Sequence, residues 1–250
     1  MLPVVRPAVL LTAAAVAVLT VNVASLLLRL AEPTLPPVPV VGRESANGPL
    51  FGFLHQLLNV DGEGNVPTWL TINLLLVAAL LCVGIAAVHF REHSRWRWHW
   101  TVLGTTFAYL SLDELAALHE RAIPVMAQVV EARGVLTYAW VVLAAPLVLV
   151  FALAYLPFLR ALPRRVAAWL VLSGAVLVTG ALGMELVGGW VVSEGDGDRS
   201  AAYIWITSIE ELLEMGGLLV CLYALMQYPV ERPVASPAVP ARAGREHVSP

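Results

Sequence analysis

The sequence contains no lysine, and only 13% of its 250 residues are charged. Soluble domains carry about 25% charged and about 45–50% apolar residues, whereas 59% of this chain is hydrophobic. This composition excludes an ordinary soluble domain and a disordered chain. The net charge of -3 and the lack of a basic stripe also exclude nucleic acid as a partner. The remaining class is an all-α, polytopic membrane protein, whose first partner is the lipid bilayer.

Cysteine is also scarce. Cys82 and Cys221 are the two cysteines, and both lie inside apolar runs rather than in aqueous loops. This placement predicts two small buried side chains and no structural disulfide. The spacing of cysteine and histidine is not that of a zinc site.

Six apolar runs are long enough to cross a bilayer, which takes roughly 20 residues. They cover residues 7–30, 68–90, 98–120, 136–159, 165–192 and 202–228. The first run is longer than the apolar core of a signal peptide, about 7–15 residues, and we expect it to be retained. The sequence thus predicts one six-helix domain over 1–228, with a long outer loop at 31–67 and a disordered cytoplasmic tail at 229–250. Within that loop, the apolar segment 49–58 predicts a short interfacial helix.

Arginine determines the predicted orientation. Ten of the 15 arginines fall on one side of the six-helix arrangement, including those of the short links 91–97 and 160–165. Cytoplasmic loops carry the excess of basic residues in multi-pass proteins. We therefore expect both termini in the cytoplasm, in a membrane of the bacterial inner-membrane type.

Acidic residues inside the apolar runs are the most informative feature of the sequence. From the third, fifth and sixth runs they are Asp113, Glu114, Glu120, Glu185, Glu210, Glu211 and Glu214. An acid at the centre of a span costs about 2.5–3.5 kcal/mol. Without Glu120, the other six carboxylates would cost up to about 15–20 kcal/mol if unpaired and charged. That is more than the typical net stability of a domain, about 5–15 kcal/mol. Basic partners are too few, so bound protons, water or a metal ion must stabilise these groups.

Helical spacing places these acids in one layer of the outer half of the bundle. Asp113 and Glu120 are seven residues apart and are expected to share one face of a continuous helix. Glu210 and Glu214 are four residues apart and share another face. Oxygen donors then converge in the bundle, and His119 adds a nitrogen if its helix bends. Carboxylate-rich sites suit Ca²⁺ and Mn²⁺, and carboxylates with histidine also suit iron and zinc.

These residues predict a divalent metal site, with Fe, Mn, Zn and Ca as the candidate ions. The predicted ligands are Asp113, Glu114, Glu120, Glu185, Glu210 and Glu214. His119 is predicted to be a ligand or general base, and Glu211 to be a general acid whose proton is retained by burial.

The outer-loop segment 60–65 has oxygen side chains at alternate positions, Asp61, Glu63 and Asn65. The segment is not an EF-hand, because the glycine and glutamate that such a loop requires are missing. A glycine-rich turn is the simpler interpretation. The segment is nevertheless on the side of the carboxylates and is placed to cap the predicted cavity.

The leading functional hypothesis is a metal-dependent membrane enzyme that acts on a lipid or another outer-leaflet substrate. The alternative is a cation- or proton-coupled transporter that uses the same acids. A transporter needs polar residues in the cytoplasmic half as well, and the predicted spans have almost none there. A third hypothesis is an accessory subunit that works with a membrane-protein partner or as a homo-oligomer.

Overall fold

The computed structural model describes residues 7–31, 49–195, 197–198 and 200–231. All regular elements within these residues are helical, and the described part of the chain contains no strand. The all-α prediction is confirmed to this extent.

The helices follow one another along the chain with mostly short connections. They are α1 (Pro7–Ala31), α2 (Pro49–Leu58), α3 (Val66–Arg91), α4 (Arg97–Ala116), α5 (Leu118–Met126), α6 (Val141–Ala161), α7 (Arg164–Val178), α8 (Glu185–Glu194) and α9 (Ala201–Glu231). A 3-10 turn at Gly134–Leu136 precedes α6, and a π-helical turn at Thr179–Met184 joins α7 to α8. The helix predicted over 49–58 is α2. Residues 32–48 of the outer loop and 232–250 of the predicted tail lie outside the described residues.

Four helical segments are long and apolar enough to cross a membrane. They are Pro7–Ala31, Val66–Arg91, Val141–Ala161 and the continuous stretch Arg164–Glu194. Four apolar segments of this length suggest a membrane-embedded protein. The predicted third and sixth spans correspond to α4 and α9, which carry five of the acidic residues and are not among these four segments. The six-span count and the cytoplasmic termini therefore stay predictions.

The predicted span 98–120 is interrupted near its C-terminal end. Ala117 adopts a left-handed backbone conformation, with φ at 47°. A residue in this conformation cannot continue a right-handed helix, so α4 ends at Ala116 and a separate helix, α5, begins at Leu118. The expectation that Asp113 and Glu120 share a face of one continuous helix is therefore wrong.

Two other predicted boundaries also differ from the structure. The fourth span was predicted to begin at residue 136, where a 3-10 turn ends, and α6 begins at Val141. The final helix passes through Pro229 to Glu231, so its helical part overlaps the start of the predicted tail. Pro229 has no N–H to donate, so the helix lacks one backbone hydrogen bond close to its end.

The start of α3 shows how the sequence determines a helix end next to the site. The Asn65 side chain caps the helix by accepting a hydrogen bond from the backbone nitrogen of Thr68 at 3.1 Å. Asparagine is among the preferred residues at this position. Pro67 occupies the first turn, where no backbone N–H is needed. The loop before α3 is thus tied to the first turn of that helix.

Two antiparallel helix pairs form the frame of the bundle. One pair is α3 with α4, and the other is the stretch α7–α8 with α9; α1 and α3 both pack against α9. Glycine allows the close approach of the second pair, because a Cβ atom on Gly217 would lie 2.9 Å from the backbone nitrogen of Leu177.

The end of the bundle formed by the C-terminus of α3 and the N-terminus of α4 is densely packed. Trp100 and Phe158 are fully buried there, with ring centroids 5.0 Å apart. Cys82 and Cys221 are buried in the same core and are free thiols, as predicted. The polar residues of the predicted site lie towards the opposite end.

Candidate metal centre

A cavity of about 560 Å³ lies between α3, α4, α5, α6, the α7–α8 stretch and α9. Its wall includes all eight residues that the sequence singled out. They are Asp113, Glu114, His119, Glu120, Glu185, Glu210, Glu211 and Glu214. The fold therefore brings together acids from three separate apolar runs, although their individual roles as ligands or acids stay predictions.

The helix break at Ala117 folds the chain back towards Asp113. The backbone nitrogen of His119 donates to Asp113 Oδ1 at 3.0 Å, and His119 Nδ1 lies 2.8 Å from Asp113 Oδ2. This carboxylate therefore holds both the backbone and the ring of His119. With Nδ1 engaged, Nε2 is the nitrogen left for a metal ion. A carboxylate that orients a histidine in this way is a common partner of metal-binding histidine.

Three side chains in this part of the cavity converge closely enough to bind one metal ion. Glu63, His119 and Glu120 each offer a ligand atom, and these atoms lie within 4.8 Å of one another. Metal–oxygen bonds are about 2.0–2.6 Å long, so two ligands of one ion lie at most about 5 Å apart. Three protein ligands leave coordination positions open for water or substrate, as in catalytic zinc sites.

Glu63 reaches this position because the loop before α3 is anchored to α1. Arg29 is buried, and its guanidinium donates to Asp61 Oδ2 at 3.0 Å and to Thr207 Oγ1 at 2.6 Å. The backbone nitrogen of Val60 donates to Ser25 Oγ at 3.0 Å. These contacts join the loop to α1, and Arg29 in turn joins it to α9 through Thr207.

Internal hydrogen bonds close the same loop. The Asn65 side-chain nitrogen donates to the carbonyl oxygens of Asn59 at 2.6 Å and Gly62 at 2.7 Å. Gly64 has a φ of 71°, a conformation that glycine adopts without strain. The glycines and asparagines thus shape a compact turn that carries Glu63.

Aromatic side chains connect the group of Glu63, His119 and Glu120 to the cavity wall formed by α8 and α9. The ring of Trp140 lies 5.2 Å from that of His119, and its Nε1 donates to Glu185 Oε1 at 2.8 Å. On α9, the Tyr203 hydroxyl donates to Asp61 Oδ1 at 3.1 Å. The hydroxyl of Tyr138 lies 2.9 Å from that of Tyr203. Glu185 of α8 is therefore held by a neutral donor, and Asp61 of the loop by Tyr203 in addition to Arg29.

Gly180, in the π-helical turn, allows the α7–α8 stretch to lie close to α9. A Cβ atom on Gly180 would lie 2.9 Å from Glu214 Cγ and 3.0 Å from the carbonyl oxygen of Glu210. Such turns insert a residue into an α-helix and are frequent at functional sites. Here the turn ends directly before Glu185, whose side chain lines the cavity.

The loop carboxylates have raised pKa values. Removal from water, together with the negative charge of Glu120, raises the pKa of Glu63 to about 7, against a smaller opposing effect of His119. Burial also raises the pKa of Asp61, although Arg29 and the Tyr203 hydroxyl act in the opposite direction. Carboxylates crowded without enough cations are therefore stabilised by a bound proton or by a bound cation.

The three-residue metal group contains only two of the predicted site residues, His119 and Glu120. In the described residues, the remaining predicted acids line the same cavity outside this group, and Asp113 contacts the ring of His119 instead. Glu63 was not predicted as a ligand. The feature that could have indicated Glu63 is the oxygen-rich segment 60–65. The sequence predicts that this segment lies near the cavity, but not that it belongs to the site.

The chain belongs to a protein family described as a domain of unknown function (DUF8692), which it matches over residues 8–228. No curated protein and no solved structure matches the chain significantly. The family assignment therefore covers all the described cavity-lining residues without naming an activity.

Proposed function

We propose that this protein is a metal-dependent membrane enzyme that acts on a lipid or another outer-leaflet substrate. The observation that carries the proposal is the convergence of Glu63, His119 and Glu120 to within 4.8 Å in a cavity of about 560 Å³. A divalent ion held there would supply Lewis-acid chemistry for hydrolysis. Fe, Mn, Zn and Ca are the candidate ions.

In the proposal, the residues around the ligands position His119 and donate a proton to the leaving group. Asp113 positions His119, so that Nε2 points away from the carboxylate that holds Nδ1. Glu114 and Glu211 line the cavity beside the ligands. A protonated carboxyl group among so many acids is a proton donor for a leaving group, and Glu211 takes this role in the proposal.

The placement in the membrane belongs to the same proposal. α4 and α9 complete six spans, with both termini in the cytoplasm and the cavity in the outer half of the bundle. Such an arrangement fits a bacterial-type inner membrane. The densely packed core around Trp100 and Phe158 favours an enzyme over a transporter, because a transport path would need a polar exit at that end.

The proposal is tested by elemental analysis of the purified protein after exposure to each candidate ion and removal of unbound metal. We expect close to one ion per chain in the wild type, and loss of that ion in Glu120→Gln and His119→Gln. Glu131→Gln is the matched control, because Glu131 is exposed and pairs with Arg133 on the surface. Absence of every candidate ion from monodisperse wild-type protein would contradict the proposal. Co-purification of a stoichiometric partner would instead support the accessory-subunit hypothesis.

A further inference from the structure

The cavity has an apolar half beneath the carboxylates. Leu75 of α3 and Leu218 of α9 are almost fully buried and form part of its wall. Leu110 of α4, Val148 of α6 and Leu177 of α7 line the same region. Hydrocarbon side chains from five helices therefore surround a space that opens onto the polar group.

Helix α6 stands away from the bundle along its middle. Its buried residues are Val141 at one end and Tyr155 and Phe158 at the other, and no residue of 142–154 is buried. The Tyr155 hydroxyl donates to the carbonyl oxygen of His99 at 2.8 Å, which attaches the far end of α6 to α4. The middle of α6 thus forms a wall over the cavity without packing tightly onto the opposite helices.

Ala144 and Val148 are four residues apart and both line the cavity. Protein interiors are normally close-packed, so an unfilled apolar space of this kind forfeits contacts with every side chain around it. Water does not fill such a space well, since an ordered water needs two to four polar partners. In a bilayer, the molecules available to occupy this apolar space are those with hydrocarbon chains.

The charge of the polar half restricts what that chain can carry. Nine carboxyl side chains line the cavity. They are Asp61, Glu63, Asp113, Glu114, Glu120, Glu185, Glu210, Glu211 and Glu214. His119 is the one basic side chain among the described lining residues. One divalent ion would offset only part of the charge of nine carboxylates. The polar half would keep an excess of acidic groups, and like charges repel, so a phosphate or a free carboxylate is disfavoured as the polar end.

We infer that the cavity binds a single-chain amphiphile with an uncharged polar end, whose hydrocarbon chain lies between α6 and the α3–α9 wall. The cavity volume of about 560 Å³ is that of a pocket for one small ligand rather than for an entire two-chain phospholipid. The inference rests on the proposed function in one respect: the polar end lies at Glu63, His119 and Glu120, where the metal would act on it.

Photolabelling of the full chain in detergent tests the inference, with a monoacylglycerol that carries a diazirine at the end of its chain. We expect saturable labelling that unlabelled monoacylglycerol suppresses and that lysophosphatidic acid of the same chain length does not. Val148→Trp fills the apolar half and should reduce the saturable labelling at least tenfold. Leu147→Trp is the matched control, because Leu147 is 61% exposed on the outer surface of the same helix.

Unsaturable labelling of the wild type, or equal labelling of Val148→Trp and Leu147→Trp, would overturn the inference. Equal competition by lysophosphatidic acid would overturn the uncharged polar end. If Val148→Trp is not monodisperse, Ala144→Leu narrows the cavity one turn away and replaces it. Metal uptake separates the two proposals. Saturable labelling of wild-type protein that takes up none of the candidate ions supports the amphiphile site and contradicts the metal enzyme. Protein that binds one ion per chain but shows no saturable labelling does the reverse.

Discussion

Replacement of Asp113 by asparagine tests how His119, the proposed metal ligand, is held. Asp113 accepts hydrogen bonds from the backbone nitrogen and the ring of His119, at 3.0 and 2.8 Å. Asparagine keeps one oxygen acceptor but presents an amide N–H₂ group in place of the second oxygen. When this group faces Nδ1, the imidazole must carry its proton on Nε2, the nitrogen that the metal needs.

Loss of such an orienting partner typically lowers metal affinity by about 10- to 100-fold, or about 1.4–2.7 kcal/mol. We expect a decrease of this size in Asp113→Asn, measured by competition with a chromophoric chelator in detergent. Glu131→Gln, which removes an exposed carboxylate, should leave the affinity unchanged. A change of less than twofold in Asp113→Asn would refute the positioning role. A loss as complete as that of His119→Gln would instead place Asp113 among the ligands, as the sequence predicted.

The remaining predictions concern the elements that hold the site. Arg29→Met should lower the free energy of unfolding by about 2–4 kcal/mol, because it leaves the largely desolvated carboxylate of Asp61 without its ion-pair partner. Arg133→Met is the control. It removes an exposed pair and should cost less than about 1 kcal/mol. Equal shifts of the thermal midpoint in the two variants would contradict the anchoring role of Arg29. Gly217→Ala should lower the free energy of unfolding by about 1–3 kcal/mol, since the added methyl group would meet the backbone of Leu177 at 2.9 Å. Gly216→Ala is the control. Its methyl group meets nothing within 4 Å, so this substitution should be neutral or stabilising. Equal effects of the two glycine substitutions on unfolding in detergent would contradict the close α7–α9 packing.

The sequence predicted the helical class and the cavity-lining acids because both follow from strong local physics. Apolar runs of about 20 residues have few alternatives to a spanning helix. Charged groups inside such runs are costly enough to require a shared polar environment. Glu185 and Glu210 come from different runs, yet both line the same cavity.

The finer geometry depended on features with a weak sequence signal. A left-handed alanine at residue 117 is not favoured by its own side chain, so no residue preference indicated the break that brings His119 to Asp113. Glu63 joins the group through a loop whose position is set by contacts with α1, above all the ion pair of Arg29 and Asp61. Such long-range contacts do not appear in helical periodicity.

The proposed enzyme must keep its acids stable in an apolar surrounding. The structure provides fixed donors for several of them, such as Trp140 for Glu185 and Tyr203 for Asp61. Hydrogen bonds from neutral donors lower the cost of a buried charge, and Arg29 adds an ion pair at Asp61. In the proposal, a cation at Glu63, His119 and Glu120 would offset part of the remaining negative charge.

Pulsed electron paramagnetic resonance of the protein loaded with one equivalent of Mn²⁺ tests the central claim most directly. A metal ion bound by Glu63, His119 and Glu120 should show nitrogen modulation from a single imidazole. This modulation should disappear in His119→Gln and persist in His55→Gln, whose side chain does not line the described cavity. Mn²⁺ bound without imidazole modulation, or with modulation that survives in His119→Gln, would contradict the metal centre derived from this fold.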